Sequence, residues 1–144
     1  GKQVRKKSTD DLREELMEAP SIGAYLRNNA DILAGQGIQT LLGDLFRRSG
    51  LSKAAAARRA GMSEVYLHQV FAGRRNPSRD RLLCLCVVLE AALDETQQLL
   101  QQAAYAQLYP RRRRDAIISY GILHRETLGK INEHLLSEGE KALS

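Results

Sequence analysis

Apolar residues recur along this chain at the three- and four-residue spacing of amphipathic helices. The spacing is clearest at Leu41, Leu42, Leu45 and Phe46, and again at Leu82, Leu83, Leu85, Cys86 and Leu89. β-Branched runs are scarce, and the residues that dominate the composition, such as Leu, Ala, Gln, Glu and Arg, favour helices. Only three prolines interrupt the pattern: Pro20, Pro77 and Pro110. The pattern therefore predicts an all-α fold.

Serines and glycines divide this pattern into separate helices. Serines that can accept hydrogen bonds from free backbone N–H groups stand before several of them: Ser8, Ser21, Ser52, Ser63 and Ser78. Glycines that tolerate the left-handed conformation stand at helix ends: Gly50, Gly61 and Gly73. The first helix should stop before Pro20, and the second should reach a break at Gly35-Gln36-Gly37. The third should start near Ile38.

Three further helices are predicted beyond residue 90. The first opens at Asp94 or a neighbouring residue. The next follows Tyr109-Pro110 and contains Ile117, Ile118 and Ile122, and the last starts near Glu126. No fixed-period repeat is visible, so a helical solenoid is not expected.

The positive charge of the chain is concentrated in one region. The 144 residues carry a formal net charge of +5, and 27% charged with 43% hydrophobic residues is a globular composition. Residues 51–89 hold seven Lys or Arg against two acids, whereas residues 90–109 hold three acids and no base. Such a distribution is typical of a protein that contacts phosphate on one face.

Metal, cofactor and catalytic chemistry are not indicated. His68, His124 and His134 are scattered, and no cluster of Cys or Asp at metal-ligand spacing accompanies them. The glycines around Gln36 lack the preceding strand and the spacing of a phosphate-binding loop. The neighbouring acids near residues 10 and 14 are expected on an exposed helix face, where they would be solvated. We therefore expect neither an enzyme nor a bound cofactor.

The two cysteines are expected to be core thiols. Cys84 and Cys86 lie two residues apart in the most apolar stretch, a spacing that a disulfide cannot bridge on a helix.

No apolar run approaches the roughly 18 residues needed to span a bilayer. Nothing near residue 1 has the pattern of a signal peptide. These features together lead us to expect a cytoplasmic location.

The most informative segment is residues 52–78, SKAAAARRAGMSEVYLHQVFAGRRNPS. It resembles the lambda-repressor-like, or XRE-type, helix-turn-helix domain. The positions that carry the resemblance are Ser52, Ala57, Gly61, Met62, Ser63, Leu67, Val70, Gly73, Pro77 and Ser78. The resemblance covers about residues 38–104 and implies a five-helix DNA-binding domain. Residues 1–37 and 105–144 would then be N-terminal and C-terminal helical extensions.

The resemblance implies that a recognition helix from Ser63 to Ala72 enters the DNA major groove. The residues that would face base edges are Glu64, Val65, His68 and Gln69. Gln69 suits an adenine edge, Glu64 a cytosine amine and Val65 a thymine methyl group. The residues that would contact phosphate are Ser52, Lys53, Ser63, Arg74, Arg75 and Arg79.

The wider chain resembles a bacterial group of XRE-family regulators that carry helical extensions. The matching residues are Lys7 to Leu12 and the segment from Leu108 to Ile118. The arginines at positions 111–114 have three interpretations: a phosphate clamp, a solvated helix start, or an arginine–carboxylate network with Asp115. Because an arginine run points several ways around a helix, only part of it can face one ligand.

The predicted function is that of a cytoplasmic, sequence-specific transcriptional regulator that binds double-stranded DNA. A homodimer is expected because one such domain contacts only a few base pairs. The alternative is a protein-interaction adaptor of the same fold that does not bind DNA. In that case Tyr66, His68 and Phe71, or the basic C-terminal segment, would contact a protein partner. Ordinary packing is the competing explanation for Tyr66 and Phe71.

Overall fold

A computed structural model describes residues 7–30 and 36–144, and within these ranges it contains helices and no strand. The predicted all-α fold is therefore confirmed. The helices, in chain order, are α1 (Thr9–Glu18), α2 (Ile22–Asn28), α3 (Gln36–Ser49), α4 (Lys53–Ala60), α5 (Glu64–Phe71), α6 (Arg79–Val88), α7 (Leu93–Gln102), α8 (Arg113–Leu123) and α9 (Leu128–Ser137). The chain divides into two compact units, Gly1–Ala34 and Gly35–Ser144.

The first unit contains α1 and α2, both with the predicted serine caps. Ser8 Oγ accepts a hydrogen bond from the backbone of Asp11, and Ser21 Oγ accepts one from Ala24. A polar network joins the two helices: Lys7 Nζ donates to Glu15 at 2.7 Å and to Asn29 at 2.8 Å. Neither helix contains a buried residue. Within residues 7–30, polar contacts therefore join the two helices, and Leu16, Met17, Ile22 and Leu26 remain exposed.

Helix α3 starts earlier than predicted. It begins at Gln36 rather than near Ile38, so Gln36 and Gly37 belong to the helix instead of a break, while Gly35 lies outside the described residues. A Cβ atom on Gly37 would lie 3.3 Å from Gln102 Oε1 in α7, so the site is close-packed.

Helix α6 forms the centre of the second unit. Six consecutive residues, 82–87, are buried, so the helix is covered on all sides, as expected for an apolar helix in the interior. It contacts α4, α7 and α9. Cys84 and Cys86 are both buried and free, as predicted. Burial raises the pKa of the Cys84 thiol to about 11 and that of Cys86 to about 12.

The last two helices pair with each other and pack on α6 and α7. Helix α8 carries the predicted isoleucines, with Ile118 and Ile122 buried. Helix α9 begins at Leu128, with Thr127 as its N-cap, rather than near Glu126. The difference arises because the Glu126 N–H donates to Gly121 O at 2.9 Å, which closes α8 instead of opening α9.

Candidate nucleic-acid interface

Helices α4 and α5 are joined by a tight turn of three residues. Gly61 ends α4 in the left-handed conformation, at φ +71° and ψ +31°. The N–H of Met62 donates to Ala57 O at 2.9 Å, and Ala57 itself is buried. Ser63 Oγ then accepts from Tyr66 N at 3.1 Å and starts α5. The small alanine side chains let the two helices approach, and the glycine makes the reversal possible.

One side of α5 is fixed in the core and the other is open. Leu67 and Val70 are buried, whereas Val65 is 69% exposed. Glu64 and His68 are also exposed, and Gln69 is half-buried. Leu67 and Val70 anchor α5, with Tyr66 and Phe71 partly buried beside them, so the exposed surface is on the opposite side of the helix. The residues predicted to face base edges therefore lie together on the solvent side of one short helix.

The start of α4 lies beside this open face. Lys53 Nζ is 3.2 Å from His68 Nδ1 on α5. Ser52 Oγ accepts a hydrogen bond from Ala55 N at 3.1 Å. Ser52 and Ser63 thus serve as helix caps, and each hydroxyl keeps its own O–H donor for a phosphate oxygen. Donors that could contact phosphate are thus present at the starts of both α4 and α5.

The loop after α5 carries Arg74 and Arg75, and both are exposed. Its path is set by two backbone hydrogen bonds, from Arg74 N and Arg75 N to Gln69 O at 2.9 and 3.3 Å. Gly73 has φ +77°, and a Cβ atom there would overlap the side-chain amide of Gln39. The loop therefore depends on glycine, and it holds the two arginines just beyond the last turn of α5.

Sequence reasoning missed Arg81, whose guanidinium lies over the same aromatic ring as that of Arg75. The guanidinium carbon of Arg81 lies 4.5 Å from the centre of the Tyr66 ring, and that of Arg75 lies 5.6 Å from it. A positively charged side chain in the first turn of a helix is unfavourable because it lies beside the positive end of the helix dipole. That unusual position was the available signal for Arg81.

Phe71 has a packing role. Its ring centre lies 5.1 Å from that of Phe46 on α3. Both Phe71 and Tyr66 are half-buried against the core. The packing explanation considered for these two aromatic residues therefore fits the structure.

Among the predicted phosphate contacts, Arg79 has a carboxylate partner within the described part of the chain. Its guanidinium donates to Ala106 O at 2.8 Å, to Gln107 O at 3.2 Å, and to both Asp115 oxygens at 3.3 Å. Its side chain is only 23% exposed. The structure thus directs Arg79 toward the segment before α8 and away from the open face of α5.

The arginines at positions 111–114 differ in their partners. Arg114 binds the Asp80 carboxylate, and Arg113 pairs with Glu138 at 3.3 Å. The carboxylate network is therefore present, although the partner of Arg114 is Asp80, while Asp115 pairs with Arg79. Arg111 and Arg112 are exposed and form no ion pair among the described residues, as at a solvated helix start.

Arginines that lack a carboxylate partner are concentrated near the α4–α5 turn. Within residues 36–144, those with such a partner are Arg47, Arg48, Arg79, Arg113, Arg114 and Arg125. Those without one among the described residues are Arg58, Arg59, Arg74, Arg75, Arg81, Arg111 and Arg112. All but the last two lie in α4, in the loop after α5, or at the start of α6. This region is therefore the part of the unit best supplied with cations for an anionic partner.

A family model described as a helix-turn-helix domain matches residues 40–99. This segment is similar to that family of domains. The match covers less than half of the chain, begins within α3, and ends within α7, so it includes the turn and the open face of α5. No curated protein and no solved structure matches the chain. A domain of this kind indicates a DNA-binding regulator in general terms.

Two kinds of feature are absent from the described residues. No group of three His, Cys, Asp or Glu side chains in residues 7–30 and 36–144 could hold a metal ion. Over the same ranges, no helix has both the length and the apolarity to cross a membrane.

Proposed function

We propose that this chain is a sequence-specific transcriptional regulator of the lambda-repressor-like (XRE) kind found in bacteria, acting in the cytoplasm. The recognition helix α5, with its flanking caps Ser63 and Ala72, lies in the DNA major groove. One observation carries the proposal: Glu64, Val65 and His68 are open to solvent on a helix whose opposite side is locked into the core. A rigid helix with an open polar face suits insertion into the groove.

The open face offers a different contact at each position. Gln69 can donate to and accept from an adenine edge, Glu64 can accept from a cytosine amine, and Val65 can contact a thymine methyl group. His68 lies next to Lys53. It would therefore lie between the base-contacting side chains and the phosphate backbone. These side chains would select the sequence.

Phosphate contacts would come from the two sides of this face. Ser52, Lys53 and Ser63 supply donors at the starts of α4 and α5, and Arg74 and Arg75 supply charge beyond the end of α5. We leave Arg79 out of this set because its guanidinium is bound to Asp115 and to two backbone carbonyls. The phosphate contacts would set affinity and orientation without selecting the sequence.

The regulator would act as a homodimer. Two copies related by a two-fold axis would place their α5 helices in successive major grooves, about 34 Å apart along the duplex. Such a pair would contact two half-sites and gain affinity through both.

The test is the affinity for duplex DNA as a function of salt, measured by fluorescence anisotropy on the full chain. We expect log affinity to fall linearly with log salt. Replacing Arg74 and Arg75 by alanine should reduce the slope by about two, since each phosphate contact contributes about 0.9. The matched control removes the same charge elsewhere, through Arg111→Ala with Arg112→Ala, and should leave the slope nearly unchanged.

Absence of binding at low salt would overturn the proposal in favour of the adaptor alternative. Equal effects of the two double substitutions would remove the loop arginines from the interface. The structure makes the adaptor less attractive, because the Phe71 ring is packed against Phe46 and is only partly available to a partner.

A further inference from the structure

A groove of about 470 Å³ lies on the second unit beside the helix-turn-helix turn. Arg58 and Arg59 from the end of α4 and Arg81 from α6 line it, and all three are exposed. None of the three has a carboxylate partner among the described residues. Apolar side chains complete the walls: Met62, Leu128 and Leu143. The groove therefore suits an occupant that combines negative charge with an apolar side chain.

Helix α1 of the first unit has this combination on one face. Asp10, Glu14 and Glu18 follow each other at four-residue intervals and thus form a stripe about 12 Å long. They form no ion pair with another described residue. Met17, three residues after Glu14 and next to this stripe, is 89% exposed.

Among residues 7–30 of the first unit, no buried apolar side chain covers this face. Neither α1 nor α2 contains a buried residue, and Leu16 and Ile22 are 50% and 64% exposed. Two short helices that bury no apolar side chain gain little from packing. Docking on another surface would supply the missing burial.

We propose that α1 of a second copy of this chain lies in the groove, with its carboxylate stripe against Arg58, Arg59 and Arg81 and with Met17 against the apolar walls. The inference rests on the homodimer of the proposed function and locates its interface. Each copy offers one acidic helix face and one basic groove, so a two-fold pair forms both contacts at once. The charge complementarity is what favours a second copy over an uncharged partner.

The proposed contact also lies next to the DNA-binding helix. Arg81 lines the groove and at the same time rests on the ring of Tyr66 in α5. Arg58 and Arg59 end the helix that precedes the turn. In a dimer joined at this groove, both α5 helices would lie close to the dimer interface. The interface would therefore set the spacing of the two α5 helices on DNA.

Charge reversal on the full chain tests the inference without DNA. One variant carries Arg58→Glu with Arg59→Glu, and the other carries Glu14→Arg with Glu18→Arg. Sedimentation equilibrium should show a wild-type dimer, and each variant alone should raise the dimer dissociation constant about 100-fold or more because like charges then face each other. An equimolar mixture of the two variants should restore the dimer, since every facing pair in the mixed dimer is again of opposite sign.

Two controls keep the result interpretable. Arg111→Glu with Arg112→Glu adds the same negative charge outside the groove and should leave the dimer intact. Arg58→Gln with Arg59→Gln removes the groove charge without reversing it, in case glutamates at the end of α4 unfold the helix. This neutral variant should also weaken the dimer, while circular dichroism shows unchanged helicity.

Four results would overturn the inference. A wild-type chain that stays monomeric at concentrations of about 100 μM would exclude the interface, as would variants that dimerise as tightly as wild type. Failure of the mixture to dimerise would also contradict it, and rescue of folding or DNA binding only when all four substitutions share one chain would place α1 in its own groove instead. None of these results requires the loss of DNA binding, so they are distinct from failure of the proposed function.

Discussion

Arg114 donates two hydrogen bonds to the Asp80 carboxylate, 3.0 and 2.9 Å long. The adjacent residues in the sequence, Arg79 and Asp115, form a second ion pair at 3.3 Å. The starts of α6 and α8 are thus joined by two pairs in which each helix supplies one arginine and one aspartate. The hydrogen bond to Asp80 raises the pKa of Arg114. These two ion pairs fix the C-terminal helices on α6, which forms the centre of the core.

Asp80→Asn should lower the free energy of unfolding by about 1–3 kcal/mol, because it leaves the Arg114 guanidinium without its counter-charge. We place it toward the lower end of that range because both side chains keep about a fifth of their surface exposed. Urea denaturation measures the change. Glu138→Gln removes the partner of Arg113 in a pair that is 65% and 50% exposed, and it should cost less than about 0.5 kcal/mol. Equal losses in the two variants would contradict the assignment of the Asp80 pair as the joint between α6 and α8.

Gly121→Ala should destabilise the pairing of α8 and α9. A Cβ atom on Gly121 would overlap Ile131 Cγ1 and lie 2.5 Å from its Cδ1, and Ile131 is fully buried. Overpacking of this kind costs about 1–3 kcal/mol, which thermal or urea unfolding would detect. Gly129→Ala, where a Cβ atom meets nothing within 4 Å, should be neutral or slightly stabilising. Adding Ile131→Ala to Gly121→Ala should cost less than the sum of the two single changes, and strict additivity would disprove the overlap.

The two thiols should resist alkylation in the folded protein. Burial raises the pKa of Cys84 to about 11 and that of Cys86 to about 12, so the reactive thiolate is about a thousandth or less of either group at pH 8. Mass spectrometry after iodoacetamide treatment should find both residues unmodified in buffer and modified in strong urea. Rapid labelling of either thiol under native conditions would show that α6 is not enclosed as described.

Glu95 should make the protein more sensitive to acid. Two hydrogen bonds from Arg48, and then one from Ala92 N, lower the pKa of Glu95 from 4.5. A lowered folded pKa means that the contribution is complete above about pH 4.5 and is lost as the pH falls through the folded value. Glu95→Gln should cost about 0.5–1 kcal/mol at pH 7, since the pair is partly exposed, and progressively less as the pH falls below about 4.5. Asp94→Asn, at the exposed neighbouring carboxylate, is the control; a pH-independent effect of Glu95→Gln would exclude the ion pair as the cause.

Local signals predicted most of the helices. The caps at Ser8, Ser52, Ser63 and Ser78 depend on hydrogen bonds to residues three positions away, so the sequence alone contains both partners. The early start of α3 was missed because a glycine next to a helix start resembles a break. Its close contact with Gln102 is set by a distant helix and has no local signature.

Some features of the candidate site could be predicted from the sequence, and others could not. The open face of α5 was implied by the helix-turn-helix resemblance, and the buried positions of Leu67 and Val70 agree with it. Arg79 could not be separated from Arg74 and Arg75 by charge alone, since its partner Asp115 lies 36 residues away. For the same reason, the pairing of Arg114 with Asp80 rather than with its neighbour Asp115 depends on how α6 and α8 meet.

The most direct test of the central claim, that the open face of α5 selects DNA bases, is the sequence preference of Gln69→Ala. Duplexes selected by the wild-type chain from a random pool are compared with a scrambled duplex at one salt concentration. The account predicts that Gln69→Ala lowers the preference for the selected duplex about 5- to 100-fold, the range of one bidentate base contact, while affinity for the scrambled duplex stays nearly constant. An equal loss on both duplexes, or no loss on either, would contradict it.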